Sequence, residues 1–248
     1  MTAAIRKRPQ ETHSLILLQS DHAMPEIRRH LRRFTMLQTP ADPEAPVYFR
    51  FYDPRVMIDA MESMRPGFWA RFMELFRSVV VPVTPYCLLP EGIALTGSRI
   101  GPFDPADSCQ GRLLRWALPE RSSLKSTDLK VTEREFDTFS ERMERRAIHK
   151  MARRLHEEHR DVGGSERCLS VAFRAKVLAA EYGLTTVKQV TILARCMLYF
   201  GEDFTSRNRE ASRILNDRTL LPWQKKNQLI DWFIAESRNG PIENFYKG

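Results

Sequence analysis

The run Val47-Tyr48-Phe49-Arg50-Phe51-Tyr52-Asp53-Pro54-Arg55-Val56 limits what this chain can fold into more than any other stretch. β-Branched and aromatic residues behind Pro46 predict the start of a strand. Asp53 then fits a helix N-cap, and Pro54 fits the first helical position, where its missing N–H costs nothing. A strand must therefore turn into a helix within a few residues. Alternation along the strand places Tyr48, Arg50 and Tyr52 on one face and Phe49, Phe51 and Asp53 on the other. An Arg beside bulky apolar neighbours must reach solvent or a carboxylate, because an unpaired buried charge is too costly. Two readings stay open. The joint is scaffold with a local ion pair, or Arg50, Tyr52 and Arg55 face a partner, Tyr and Arg being enriched at interface hot spots.

Around this joint the first half reads as mixed α and β. Ser14 to Gln19 is apolar enough for a buried strand. Ser20 or Asp21 can cap a helix to about Phe34, with Ile27, Leu31 and Phe34 inward. Its other face carries Arg28, Arg29, Arg32 and Arg33, either a solvated face or a partner surface. Residues 40–46 form a proline-stiffened loop. Short helices are expected after Pro54 and around Phe68–Phe76. Val79 to Val83 reads as a strand, placed at an edge or irregular because of Pro82 and Pro85. Ile93 to Leu95 and Leu113 to Leu118 are candidate strands in a turn-rich region. The lobe boundary is expected between Pro119 and Asp128.

From Thr132 the pattern is helical. Thr132-Glu133-Arg134-Glu135 reads as a capping box, and Phe136, Phe139, Met143, Ala147, Met151 and Leu155 follow at helical spacing to about His159. Opposite them lie Arg142, Arg145, Arg146, Lys150, Arg153 and Arg154, interrupted only by Glu144. Ser165 opens a further helix with Leu169, Phe173, Val177 and Ala180 inward, stopped by Gly183. Another runs from Thr185 or Thr186 to Gly201. Two shorter ones are expected near 208–215 and 222–236, the last carrying Trp223, Leu229, Ile230 and Phe233. The fold class expected is α+β: an N-terminal mixed α/β lobe over residues 1–125 and an all-helical lobe over 126–248.

The chemistry expected is binding. His156-Glu157-Glu158-His159 has its histidines at i and i+3, not the i and i+4 of zinc helices, and no third ligand is signalled; a solvated helix end is expected. Cys87, Cys109, Cys168 and Cys196 are far apart and fit free thiols in a reducing compartment. Phosphate loops, dinucleotide glycine patterns and nucleophile elbows are absent from the sequence, so no enzyme, cofactor or metal is expected. With 42% hydrophobic and 28% charged residues the chain belongs with globular proteins, and its apolar runs are too short for a membrane span. No signal peptide is evident, which points to the cytoplasm. The net charge of +8 is spread evenly: 18 Lys and Arg against 14 Asp and Glu up to residue 130, then 21 against 17. That distribution does not demand a nucleic-acid stripe. A basic nucleic-acid-binding or regulatory protein using the Arg142–Arg154 helix face remains the alternative.

Two stretches carry a family resemblance. His30-Leu31-Arg32-Arg33-Phe34 followed by Tyr48 through Val56 resembles the signature of the Tap/Tec-type effector adaptors, or chaperones, of bacterial type VI secretion systems. Ala180-Glu181-Tyr182-Gly183-Leu184-Thr185, an apolar helix, then Phe200-Gly201-Glu202-Asp203-Phe204 resembles the C-terminal lobe of the same family. Together they cover roughly residues 14–235. The resemblance implies a non-catalytic protein that grips a toxin effector and loads it onto the VgrG spike, with no cofactor, nucleic acid or membrane involved. The residues expected to meet partners are Arg50, Tyr52, Asp53 and Arg55, with Arg32, Arg33 and Arg146 secondary. One departure is noted. Family members carry a longer strand-rich segment before the Leu-Arg-Arg helix, where here only Ser14 to Gln19 stands; a short variant, a truncated start or a partner strand added at an open edge are the options.

Overall fold

The computed structural model describes residues 15–40, 42, 44–83, 87–89, 113–117 and 129–239. They divide into two compact units, the first ending at Arg146 and the second beginning at Ala147. The boundary expected between Pro119 and Asp128 lies outside the described residues. The class is α+β, with strands and short helices first and helices alone afterwards.

In the first unit β1 (Leu17–Gln19) is followed by α1 (Met24–Arg32), β2 (Met36–Leu37), β3 (Val47–Tyr48), α2 (Pro54–Ser63), α3 (Pro66–Phe72) with a 3₁₀ turn (Met73–Leu75), β4 (Ser78–Pro82) and β5 (Leu113–Trp116). β4 is the middle strand of an antiparallel sheet ordered β1-β4-β5. Pro82 does not force it to an edge, because it is the last residue of the strand, paired with Leu113. β1 is half-exposed rather than buried. The strand expected at Ile93–Leu95 lies outside the described residues.

α1 starts later than Ser20 or Asp21 foretell. Ser20 instead accepts the His22 N–H and donates to the Leu75 carbonyl, and Pro25 opens the helix behind Ala23. Its arginines, Arg28, Arg29, Arg32 and Arg33, are exposed. The core of this unit is aromatic. Phe34, Phe68 and Phe72 are fully buried and meet edge to face, at ring distances of 5.0 to 5.8 Å about Phe34. His30 is buried among them, and its Nε2 donates to the Phe72 carbonyl at 2.8 Å.

α4 (Glu133–Glu158) opens on the expected capping box. Glu135 accepts the Thr132 N–H at 2.8 Å and returns its own N–H to Thr132 Oγ1. Phe136 and Phe139 pack on the first core, while Ile148, Met151, Ala152 and Leu155 belong to the second.

The second unit continues with α5 (Ser165–Glu181), α6 (Val187–Phe200), α7 (Phe204–Arg207), α8 (Arg209–Asn216) and α9 (Pro222–Asn239). α6 has its own capping box between Thr186 and Gln189. The glycines that end α5 and α6, Gly183 and Gly201, sit at φ 71° and 91°, which excludes most side chains. α5 departs from expectation. Its inner face is Cys168, Val171, Ala172, Ala175 and Ala179, leaving Phe173 and Val177 outside at 37% and 67% exposure. Small residues let α5 approach α6 closely, so the bulky stripe is the outer one. On α9, Trp223 is exposed, and Leu229 and Trp232 carry the inner face. His156 and His159 are not a solvated end: they bond the Gly163 carbonyl and the Tyr199 hydroxyl, at 3.2 and 2.8 Å.

Candidate partner-binding site

The strand–turn–helix joint forms as its residues dictate. Asp53 accepts the Arg55 N–H at 3.0 Å and caps α2, with Pro54 in the first turn. Arg55 then folds back over its own cap, Nε to Oδ1 at 2.9 Å and Nη2 to Oδ2 at 2.6 Å. The pair is bidentate, and Asp53 is buried. Burial alone would raise the Asp53 carboxyl; the Arg55 hydrogen bonds and charge, with Arg146 behind them, hold it below the usual carboxylate range. The alternation also holds. Phe49 and Phe51 are buried, while Tyr48, Arg50 and Tyr52 are exposed. A hydrogen bond with Tyr52 raises the Tyr48 hydroxyl above its ordinary value.

A second carboxylate lies on the inner face of α2. Asp59 is completely buried. Its Oδ2 is 2.8 Å from Arg146 Nη1, and its Oδ1 is 3.5 Å from Arg142 Nε. These contacts are ionic without the alignment of a hydrogen bond. Burial therefore outweighs both guanidiniums, and the Asp59 carboxyl is pushed up to about 6. Arg142 is further tied to the Leu88 carbonyl at 3.1 Å.

This pairing corrects the expectation for the basic face of α4. Arg142 and Arg146 turn inward to Asp59, and Arg153 is buried in the second unit, while Arg145, Lys150 and Arg154 remain exposed. The stripe is half structural. The one hint in the sequence, which the sequence reading passed over, is Asp59 itself, a lone carboxylate among Met57, Ile58, Ala60 and Met61. Such a residue needs a cation brought from elsewhere in the fold.

The base of α4 is fixed by a third ion pair. Glu135 accepts the Arg65 N–H at 2.7 Å and pairs with its guanidinium, whose Nη2 also donates to the Lys130 carbonyl. Burial would raise Glu135; the donors from Arg65 and Thr132 lower it instead. The corner between α2 and α3 is thereby clamped to the start of α4.

Between these clamps opens a pocket of about 370 Å³. Its walls are apolar: Leu37 from β2, Val47 from β3 and Phe49 just after it, Val56 from α2 and Met64 at its C-cap, and Phe136, Phe139 and Met143 from α4. Arg50, Asp53, Arg55 and Arg146 supply its charged groups. Of the residues expected to meet partners, these four come together. Tyr52 adjoins through Tyr48, and Arg32 and Arg33 are not part of the lining. Met143, expected inward, is 42% exposed at the pocket.

The joint and the pocket lead to the family comparison. Residues 2–71 match the model of the family described as Domain of unknown function (DUF4123). That family is associated with type VI secretion effector adaptors. The match holds β1 to β3, the Asp53–Arg55 joint and Asp59, and stops within α3. Neither a curated protein nor a solved structure matches the chain. Among the described residues no helix is long and apolar enough to cross a membrane, and no group of three or more His, Cys, Asp or Glu side chains is placed to hold a metal ion.

Proposed function

We propose that this chain is a non-catalytic adaptor of the Tap/Tec type, which holds a toxin effector in the cytoplasm and delivers it to the VgrG spike. The observation that carries this reading is the pocket beside the Asp53–Arg55 joint. It is built largely from the segment that matches the secretion-associated family, and it combines an apolar floor with an exposed arginine at its rim. Asp53 is held by Arg55, and Asp59 by Arg142 and Arg146, so these side chains tie the elements around the pocket together. Nucleic-acid binding on α4 is less well supported, since three of the six stripe cations are turned inward.

Co-expression with the proteins encoded by the flanking genes tests the proposal. The chain should raise the soluble yield of a toxin among them, and deleting it should abolish that toxin's secretion. Equal solubility and secretion without it would contradict the reading.

A further inference from the structure

We infer that the pocket receives a short extended segment of the effector, which adds a strand to the open edge of β3, places a large apolar side chain in the pocket and sets a carboxylate against Arg50. This rests on the adaptor reading and names the chemistry of what is gripped.

Three observations meet here. First, among the described residues β3 pairs with β2 alone, so one of its edges is open there. Phe49 donates to the Thr35 carbonyl at 2.8 Å across that ladder, with Tyr48 opposite Met36. Antiparallel alternation therefore turns the N–H and C=O of Tyr48 to the open side. Val47 and Tyr48 are 51% and 49% exposed, so that edge is accessible to an added strand.

Second, the pocket borders the same strand, with Val47, Phe49, Phe136 and Phe139 in its wall. Its volume of about 370 Å³ lies at the small end of ligand sites, enough for one aromatic or large aliphatic side chain with its neighbours.

Third, the charge is one-sided. Arg50, Arg55 and Arg146 line the pocket against Asp53 alone. Asp53 is engaged by Arg55, and Arg146 is engaged by Asp59. Arg50 is exposed at the rim and stands out as the cation for an incoming carboxylate. A basic segment would meet repulsion at the same place.

Benzoylphenylalanine in place of Tyr48, in the full chain co-expressed with the proteins of the flanking genes, tests this. The photo-crosslink should fall on an effector segment that has a large apolar residue with Asp or Glu within two positions. Arg50→Glu should weaken capture of that effector by about tenfold or more, while Lys188→Glu, exposed on α6 and outside the pocket, should leave it unchanged. Capture that survives Arg50→Glu with no crosslink at position 48 would overturn the inference and leave the adaptor reading standing. A crosslink to a second copy of this chain, or to a lysine-rich segment, would also overturn it. No capture by the wild-type chain would remove both.

Discussion

Arg146 Nη1 lies 2.8 Å from Oδ2 of Asp59, a carboxylate with no exposure to solvent. The contact joins α4 to the inner face of α2 directly behind the pocket. It is an ion pair under strain from burial, because Asp59 lacks aligned donors for its two oxygens. Removing one partner of such a pair is far more damaging than replacing both.

The first prediction follows from that imbalance. Asp59 has its folded pKa raised to about 6, above the unfolded value near 3.9. The folded state then holds the proton more tightly, so stability is lost as pH rises from about 4 to about 6 and is level above. Relative to Asp59→Asn, the wild type should fall by on the order of 2 to 3 kcal/mol across that interval. Urea midpoints of both proteins from pH 4.5 to 7.5 measure it. A wild type that gains on Asp59→Asn as pH rises would show that Arg142 and Arg146 keep the carboxylate ionised.

Glu135 has the opposite sign. Its folded pKa is lowered, so its contribution is complete above the unfolded value and is lost as pH falls through the folded one. Glu135→Gln should cost about 1–3 kcal/mol near pH 7. The cost should shrink in acid. Denaturant curves at pH 7 and below pH 4 compare the two.

Asp53→Ala removes the cap of α2 and leaves Arg55 without its carboxylate. A loss of about 1–3 kcal/mol is expected in urea unfolding. Asp53→Asn keeps a capping oxygen and should recover part of that loss. An effect that is equal for both would mean that the ion pair alone matters.

In the second unit the contrast lies along one helix. Ala175→Leu inserts bulk where α5 faces the core, and should lower stability by about 1–3 kcal/mol. Val177→Asp, at a position 67% exposed, should change it by no more than about 0.5 kcal/mol. Thermal melts of the two variants separate the inner stripe from the outer one.

What was legible in the sequence was local. The Asp53 cap, the Thr132–Glu135 box and the glycine stops at Gly183 and Gly201 each depend on a few neighbouring residues, and each formed as read. Burial on α5 was read in part: Leu169 packs on the core as assigned, but Phe173 and Val177 were assigned inward where close helix packing favours the alanines. The direction of the α4 arginines was hidden for another reason. Arg142 and Arg146 are drawn in by Asp59, more than eighty residues earlier, and no helical period reports a charge supplied by another element. The pocket shares that origin. Arg50, Asp53 and Arg55 were evident as candidates, but the apolar wall from α4 appears only once Glu135 and Arg65 have clamped the helix against the joint.

The most direct test of the account is capture of the proteins encoded by the flanking genes on the tagged full-length chain, at low and at moderate salt. Salt-resistant capture of a toxin by the wild type, lost with Arg50→Glu while the variant's melting temperature is unchanged, is the result the account predicts. Retention of nucleic acid that disappears as salt rises, with no toxin captured at either salt concentration, would contradict it.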